Sequence, residues 1–121
     1  YRERGSPVIA VYDVGSSQLA KKYSTVQLDE SGRVLAFEEK PRKPRTSLVG
    51  TCIYIFPKKS LEKIFDYLKE RKAVDAFGCF TEWLVEREEI YGYVLSGHWF
   101  DIGTLDSYER AKKAFETHAY K

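Results

Sequence analysis

The chain has 121 residues, 43% hydrophobic and 31% charged, with four prolines and eight glycines, a composition that excludes disorder and fibrous repeats and fits one domain burying roughly 60% of its unfolded surface. Its 20 basic and 18 acidic residues give a net charge of +2, too even for the broad field that draws nucleic acid or an anionic membrane, so any phosphate binding must be local. No apolar run approaches the ~20 residues of a membrane span and the opening Tyr-Arg-Glu-Arg-Gly-Ser has no apolar signal core, so the expectation is a cytoplasmic protein with neither nucleic acid nor membrane as partner.

Cys52 and Cys79 form no CxxC pair and have no histidine at metal-ligand spacing, which points to reduced thiols. The chain has no methionine and begins at Tyr1 on the approach to a strand, the look of a piece excised from a longer protein.

Residues 8–14 are a near-continuous apolar, β-branched run, the pattern of a strand covered on both faces. Gly15-Ser16-Ser17 breaks it, and residues 18–23 read as a short helical turn or loop. Residues 25–28 and 33–40 form two strand-like runs around Asp29-Glu30-Ser31-Gly32, a hairpin built on a type I turn. If Leu35 and Phe37 face the core, the two-residue period places Glu39 on the same face and Lys40 on the other, with Pro41 ending the pairing. Prolines 41 and 44 make the next stretch a loop, and a buried strand over residues 48–56 follows.

Pro57 opens a helix in which Leu61, Ile64, Phe65 and Leu68 fall on one stripe and Lys59, Glu62, Lys63, Asp66 and Lys69 on the wet side. After a loop over residues 73–78, Phe80, Trp83 and Leu84 repeat the helical spacing, closed by Glu86, Arg87, Glu88 and Glu89. Residues 90–96 alternate as a strand. The loop 97–104 ends in Thr104, a good N-cap for a helix carrying Leu105, Tyr108, Ala111 and Phe115.

Two constellations carry candidate chemistry. Glu39-Lys40 sets a carboxylate that accepts from hydroxyls beside an ammonium that holds phosphate, a pairing suited to a sugar phosphate. Asp101, in a rigid loop before a helix, is a typical half of a Mg²⁺ site, because magnesium takes one or two carboxylates and keeps several waters. Spacing alone leaves a solvated strand end and an Asp bonded to loop amides as the alternatives. Arg42, Lys43 and Arg45 read as a solvated charged loop, and Tyr54 and Trp99 as core or pocket wall.

Taken together, Phe37-Glu38-Glu39-Lys40-Pro41, Thr51-Cys52-Ile53-Tyr54-Ile55-Phe56 and Trp99-Phe100-Asp101-Ile102-Gly103-Thr104 resemble the motifs of the sugar-1-phosphate nucleotidyltransferases, of the glucose-1-phosphate thymidylyltransferase type. The resemblance implies an α/β fold: a partial doubly wound, Rossmann-like domain with a mixed sheet, a β-hairpin and about three helices. Residues 1–121 would be a single piece, the C-terminal, sugar-binding portion of the catalytic domain, without the Gly-rich nucleotide signature, the basic residue and the second aspartate that the family carries near its N-terminus.

It also implies that Glu39 holds sugar hydroxyls, Lys40 grips the sugar phosphate, Asp101 binds Mg²⁺, and Thr51 and Trp99 belong to the substrate pocket. The reaction would be in-line attack of a sugar-1-phosphate, glucose-1-phosphate first, on the α-phosphorus of a nucleoside triphosphate, releasing pyrophosphate. The isolated piece would be inactive and would self-associate through an exposed sheet edge. A non-catalytic binding or regulatory subunit is the alternative. Two positions depart from the family pattern: Ser24 and Cys52 stand where it often has glycine, narrowing the pocket or shifting its preferred sugar.

Overall fold

The computed structural model describes residues 2, 5–70 and 77–118. The elements are β1 (Val8–Asp13), α1 (Ser17–Ala20), β2 (Thr25–Leu28), β3 (Val34–Glu38), β4 (Leu48–Ile55), α2 (Lys58–Glu70), α3 (Phe77–Val85), β5 (Tyr91–Val94) and α4 (Leu105–His118). The expected α/β class holds, and the fourth helix is the single turn α1. Most of the loop expected over 73–78 lies outside the described residues, and its last two, Phe77 and Gly78, already belong to α3.

The five strands form one mixed sheet in the order β3-β2-β4-β1-β5. Central β1 pairs antiparallel with β4 and parallel with β5. Its consecutive residues Ile9, Ala10 and Val11 are all buried, as a strand covered on both faces requires.

The hairpin forms as the sequence predicts. Asp29 Oδ1 accepts from the Ser31 amide at 2.8 Å, the Ser31 hydroxyl at 2.7 Å and the Arg33 amide at 3.0 Å. These bonds, the Ser31 hydroxyl foremost, hold the Asp29 carboxyl below its ordinary 3.8. The hairpin tip curls onto β5, where the Gly92 amide donates to the Gly32 carbonyl at 2.8 Å and Arg33 bridges to Tyr91. Gly92 permits this approach, because a Cβ there would come within 2.6 Å of Leu28 Cδ2.

One expectation about β3 fails in an instructive way. Gln27 pairs with Ala36 but Leu28 pairs with Val34, so Leu35 is an extra residue in a bulge. The bulge resets the two-residue alternation: Val34 and Phe37 both point inward while Leu35 is 60% exposed. The inward phase set by Phe37 then carries on to Glu39, which lies against α3. β4 is likewise buried only over Val49, Gly50 and Thr51, with Ile53 and Ile55 exposed.

Helix α2 turns a different face to the core from the one its stripe predicts. Ser60 and Tyr67 are buried, whereas Leu61, Phe65 and Leu68 are exposed. Glu88 explains the rotation, accepting from the Ser60 hydroxyl at 2.6 Å and from Lys63 Nζ at 2.9 Å. With those two groups tied to the turn that follows α3, Tyr67 packs edge-on against Phe80 and Trp83. Helix α4 starts at its expected cap, the Thr104 hydroxyl accepting from the Ser107 amide. Of its expected stripe only Ala111 is buried, and Leu105, Tyr108 and Phe115 are exposed.

The two readings of α2 differ in their consequences for stability. Leu84, fully buried, should cost about 3 kcal/mol on truncation to alanine, while Phe65→Ala should stay within about 0.5 kcal/mol. Urea midpoints at an unchanged m value would check this; a large loss in Phe65→Ala would mean that the α2 stripe faces a core after all.

Candidate functional site

The run-out of β3, the bulged middle of β4, the start of α3 and the loop after β5 surround a cleft of about 510 Å³. Glu39, Lys40 and Asp101 all line it, although more than 60 residues of chain separate the first two from the third. Lys22 joins them, so two ammonium groups and two carboxylates face one space. Tyr54 and Phe77 supply an aromatic wall, their ring centroids 5.0 Å apart.

Each polar group has a local reason to be there. Glu39 continues the inward phase of Phe37 and meets the first turn of α3, where the partial positive charge of the helix start favours a carboxylate. Its Oε2 accepts from the Ser24 hydroxyl at 2.5 Å. Gly78 makes the approach possible, since a Cβ there would overlap Oε2 and come within 2.7 Å of Cδ. Lys40 follows with φ +44°, a left-handed turn that swings the next peptide away as pairing ends.

Asp101 is delivered from the opposite side by an aromatic wedge. Trp99 lies 5.8 Å from the Tyr12 ring and 5.5 Å from the Tyr23 ring, and Tyr12 donates to the Gly97 carbonyl at 3.2 Å. Trp99 therefore braces the loop and Tyr23, which itself lines the cleft. Thr51 is placed differently: it is buried, its hydroxyl donates to the Ala10 carbonyl at 2.8 Å, and it ties β4 to β1 rather than lining the cleft. Arg42, Lys43 and Arg45 are exposed and outside the lining.

Cys52 sits in the cleft with φ +61°. Between Ile9 and Val11 the partner on β4 jumps from Tyr54 to Gly50, so Cys52 lies in a bulge that turns it out of the ladder. A left-handed backbone explains why glycine suits this position and why a side chain is strained there. Tyr54, two residues on, has its hydroxyl pushed up to about 12, chiefly by burial, so it stays neutral beside any anion the cleft holds.

Sequence reasoning missed Lys22, Phe77 and Gly78. No motif marks Lys22, which follows a one-turn helix. Gly78 carried one signal, a glycine at the start of an apolar helix.

Among the described residues no group of three or more His, Cys, Asp or Glu could hold a metal. Asp101 is exposed and takes no hydrogen bond or ion pair from the described residues. A single unengaged carboxylate fits a magnesium ion that fills its remaining positions with water and phosphate.

A mixed α/β sheet with two ammonium and two carboxylate groups facing one cleft defines an α/β domain with a polar cleft. The chain belongs to the nucleotidyl transferase family, whose model matches residues 1–118. It is 29% identical over 109 residues to a glucose-1-phosphate adenylyltransferase of Clostridium acetobutylicum, covering 88% of this chain and 28% of that protein. The same enzyme of Lachnospira eligens is 35% identical over 98 residues, with 76% and 22% covered. A UDP-glucose pyrophosphorylase solved with UDP-glucose shares the fold at a TM-score of 0.79 and 21% identity, over 98% of this chain and 47% of that one. The chain thus spans less than a third of the length of these curated relatives. No helix among the described residues is long and apolar enough to cross a membrane.

The strain at Cys52 is open to measurement. Cys52→Gly should raise stability by about 1 kcal/mol, because glycine adopts the left-handed backbone without penalty. An unchanged or lower denaturation midpoint would mean that the loss of chain entropy, or of a contact, outweighs the strain.

Proposed function

We propose that this chain forms the sugar-phosphate side of a nucleotidyltransferase that joins a sugar-1-phosphate, glucose-1-phosphate first, to a nucleoside triphosphate, giving a nucleotide-sugar and pyrophosphate. The convergence of Glu39, Lys40 and Asp101 on one cleft carries this reading, and the glucose-1-phosphate adenylyltransferases among its relatives support it. Residues 1–121 would correspond to the C-terminal portion of the catalytic domain.

In this reading Glu39 accepts from sugar hydroxyls while Lys40, with Lys22 beside it, neutralises the phosphate as a point charge. Tyr54 and Phe77 offer apolar wall to the ring and limit water around the ion pairs, which strengthens them. Asp101 would hold Mg²⁺, which supplies charge neutralisation on phosphate oxygens. Catalysis then rests on positioning rather than on a covalent enzyme intermediate. Thr51 acts by fixing the strand beneath the cleft, and Trp99 by bracing its rim.

The alternative, a non-catalytic binding or regulatory subunit, draws support from Ser24 and Cys52, two side chains in the cleft at positions where the family often has glycine. Both readings require sugar-phosphate binding, and turnover of a longer parent separates them. Self-association belongs to the same picture, since Tyr93 and Val94 on edge strand β5 are exposed.

Calorimetric titration of glucose-1-phosphate with Mg²⁺ into the chain should give measurable heat, weaker by about tenfold or more in Lys40→Ala and absent with free glucose. Binding indifferent to both the phosphate and Lys40 would sink the reading. Sedimentation of the same samples should show concentration-dependent association, and a monomer at all concentrations would remove the edge-pairing proposal alone.

A further inference from the structure

Glu39 is not a freely rotating carboxylate. It is caught between a hydroxyl just ahead of β2 and the bare backbone of a helix. The Ser24 hydroxyl donates to Oε2 at 2.5 Å from fifteen residues away in sequence. Against the same oxygen Gly78 offers no side chain: a Cβ there would overlap Oε2, lie 2.7 Å from Cδ and come within 3.1 Å of Ser24 Oγ. The three groups all line the cleft and touch one another.

A glutamate side chain has three rotatable bonds, and ordering them costs rotamer freedom. Where a binding event must order the side chain, that cost comes out of affinity; where the fold has ordered it already, it does not. Among the described residues Ser24 is the one hydrogen-bond donor to Glu39. With Oε2 engaged there, Oε1 is the oxygen left to accept from a ligand.

We propose that Ser24 is a positioning residue for ligand recognition: its hydroxyl, with the bare face of Gly78 beside it, locks Glu39 so that one carboxylate oxygen is presented to a hydroxyl of a phosphorylated sugar. Ser24 acts through Glu39 and not on the phosphate, which falls to the lysines. The inference rests on the sugar-phosphate reading of the cleft. It gives Ser24 a task of its own.

The test is a double-mutant cycle read by calorimetry on the whole chain, with glucose-1-phosphate and inorganic phosphate as the two probes. Ser24→Ala should weaken glucose-1-phosphate about tenfold and leave inorganic phosphate unchanged. Glu39→Ala should weaken the sugar phosphate at least as much, and adding Ser24→Ala to it should cost less than about twofold more, because the group being positioned is gone. Melting curves confirm that each variant is folded, and Gly78→Ala, whose Cβ displaces the carboxylate, should reproduce the Ser24→Ala pattern.

Three results would overturn the proposal while leaving the sugar-phosphate site standing. These are full affinity in Ser24→Ala, an equal loss for both probes, or a Ser24→Ala penalty undiminished in the Glu39→Ala background. No binding of glucose-1-phosphate to the unaltered chain, or binding indifferent to Glu39→Ala, would remove the site itself and the proposal with it.

Discussion

The two-sided pairing of β1 is the constraint from which the rest of the molecule takes its position. Ile9 and Val11 are wholly buried, and the strand is held antiparallel on one side and parallel on the other. The antiparallel partner, β4, carries Gly50, Cys52 and Tyr54 into the cleft. The parallel partner, β5, sends its chain on into the Trp99 loop and so to Asp101. A strand whose backbone is bonded on both edges and whose faces are both covered has little freedom to shift, so the two halves of the cleft keep a fixed relation.

Irregularity gathers where the cleft is. Leu35 bulges from β3, the β4 register breaks around Cys52, and Lys40 and Cys52 are the described non-glycine residues with positive φ. Each feature works against regular pairing and each re-aims a side chain near the cleft. The hairpin's buried Val26, Val34 and Phe37 and the β1–β4 pairing over-determine these segments, which is how strain persists there. Glu39 shows the result: a charged side chain reaches the start of α3 because a bulge upstream set the phase of Phe37.

The helices follow a different logic. A polar anchor, Glu88 with Ser60 and Lys63, sets the roll of α2 more firmly than its apolar stripe does. Bonds to a carboxylate whose side chain is only 12% exposed are strong and directional, whereas burial of Leu61, Phe65 or Leu68 needs a surface to meet. Helix α4 likewise keeps Leu105, Tyr108 and Phe115 outside.

By itself the sequence determined the local elements: the β1 run, the hairpin with its Asp29 turn, the helix starts at Pro57 and Thr104, and the α/β class. These are short-range consequences of side-chain period, proline geometry and capping. It also singled out Glu39, Lys40 and Asp101, because their residue types and motif settings are legible along the chain. Tertiary structure alone decided that the three share one cleft with Lys22, that Thr51 ties strands together beneath it, and that Ser24 and Gly78 hold Glu39 between them. It alone decided which face of α2 is covered. Such facts depend on bulges that shift register and on contacts between residues distant in sequence, and neither leaves a periodic trace in the chain.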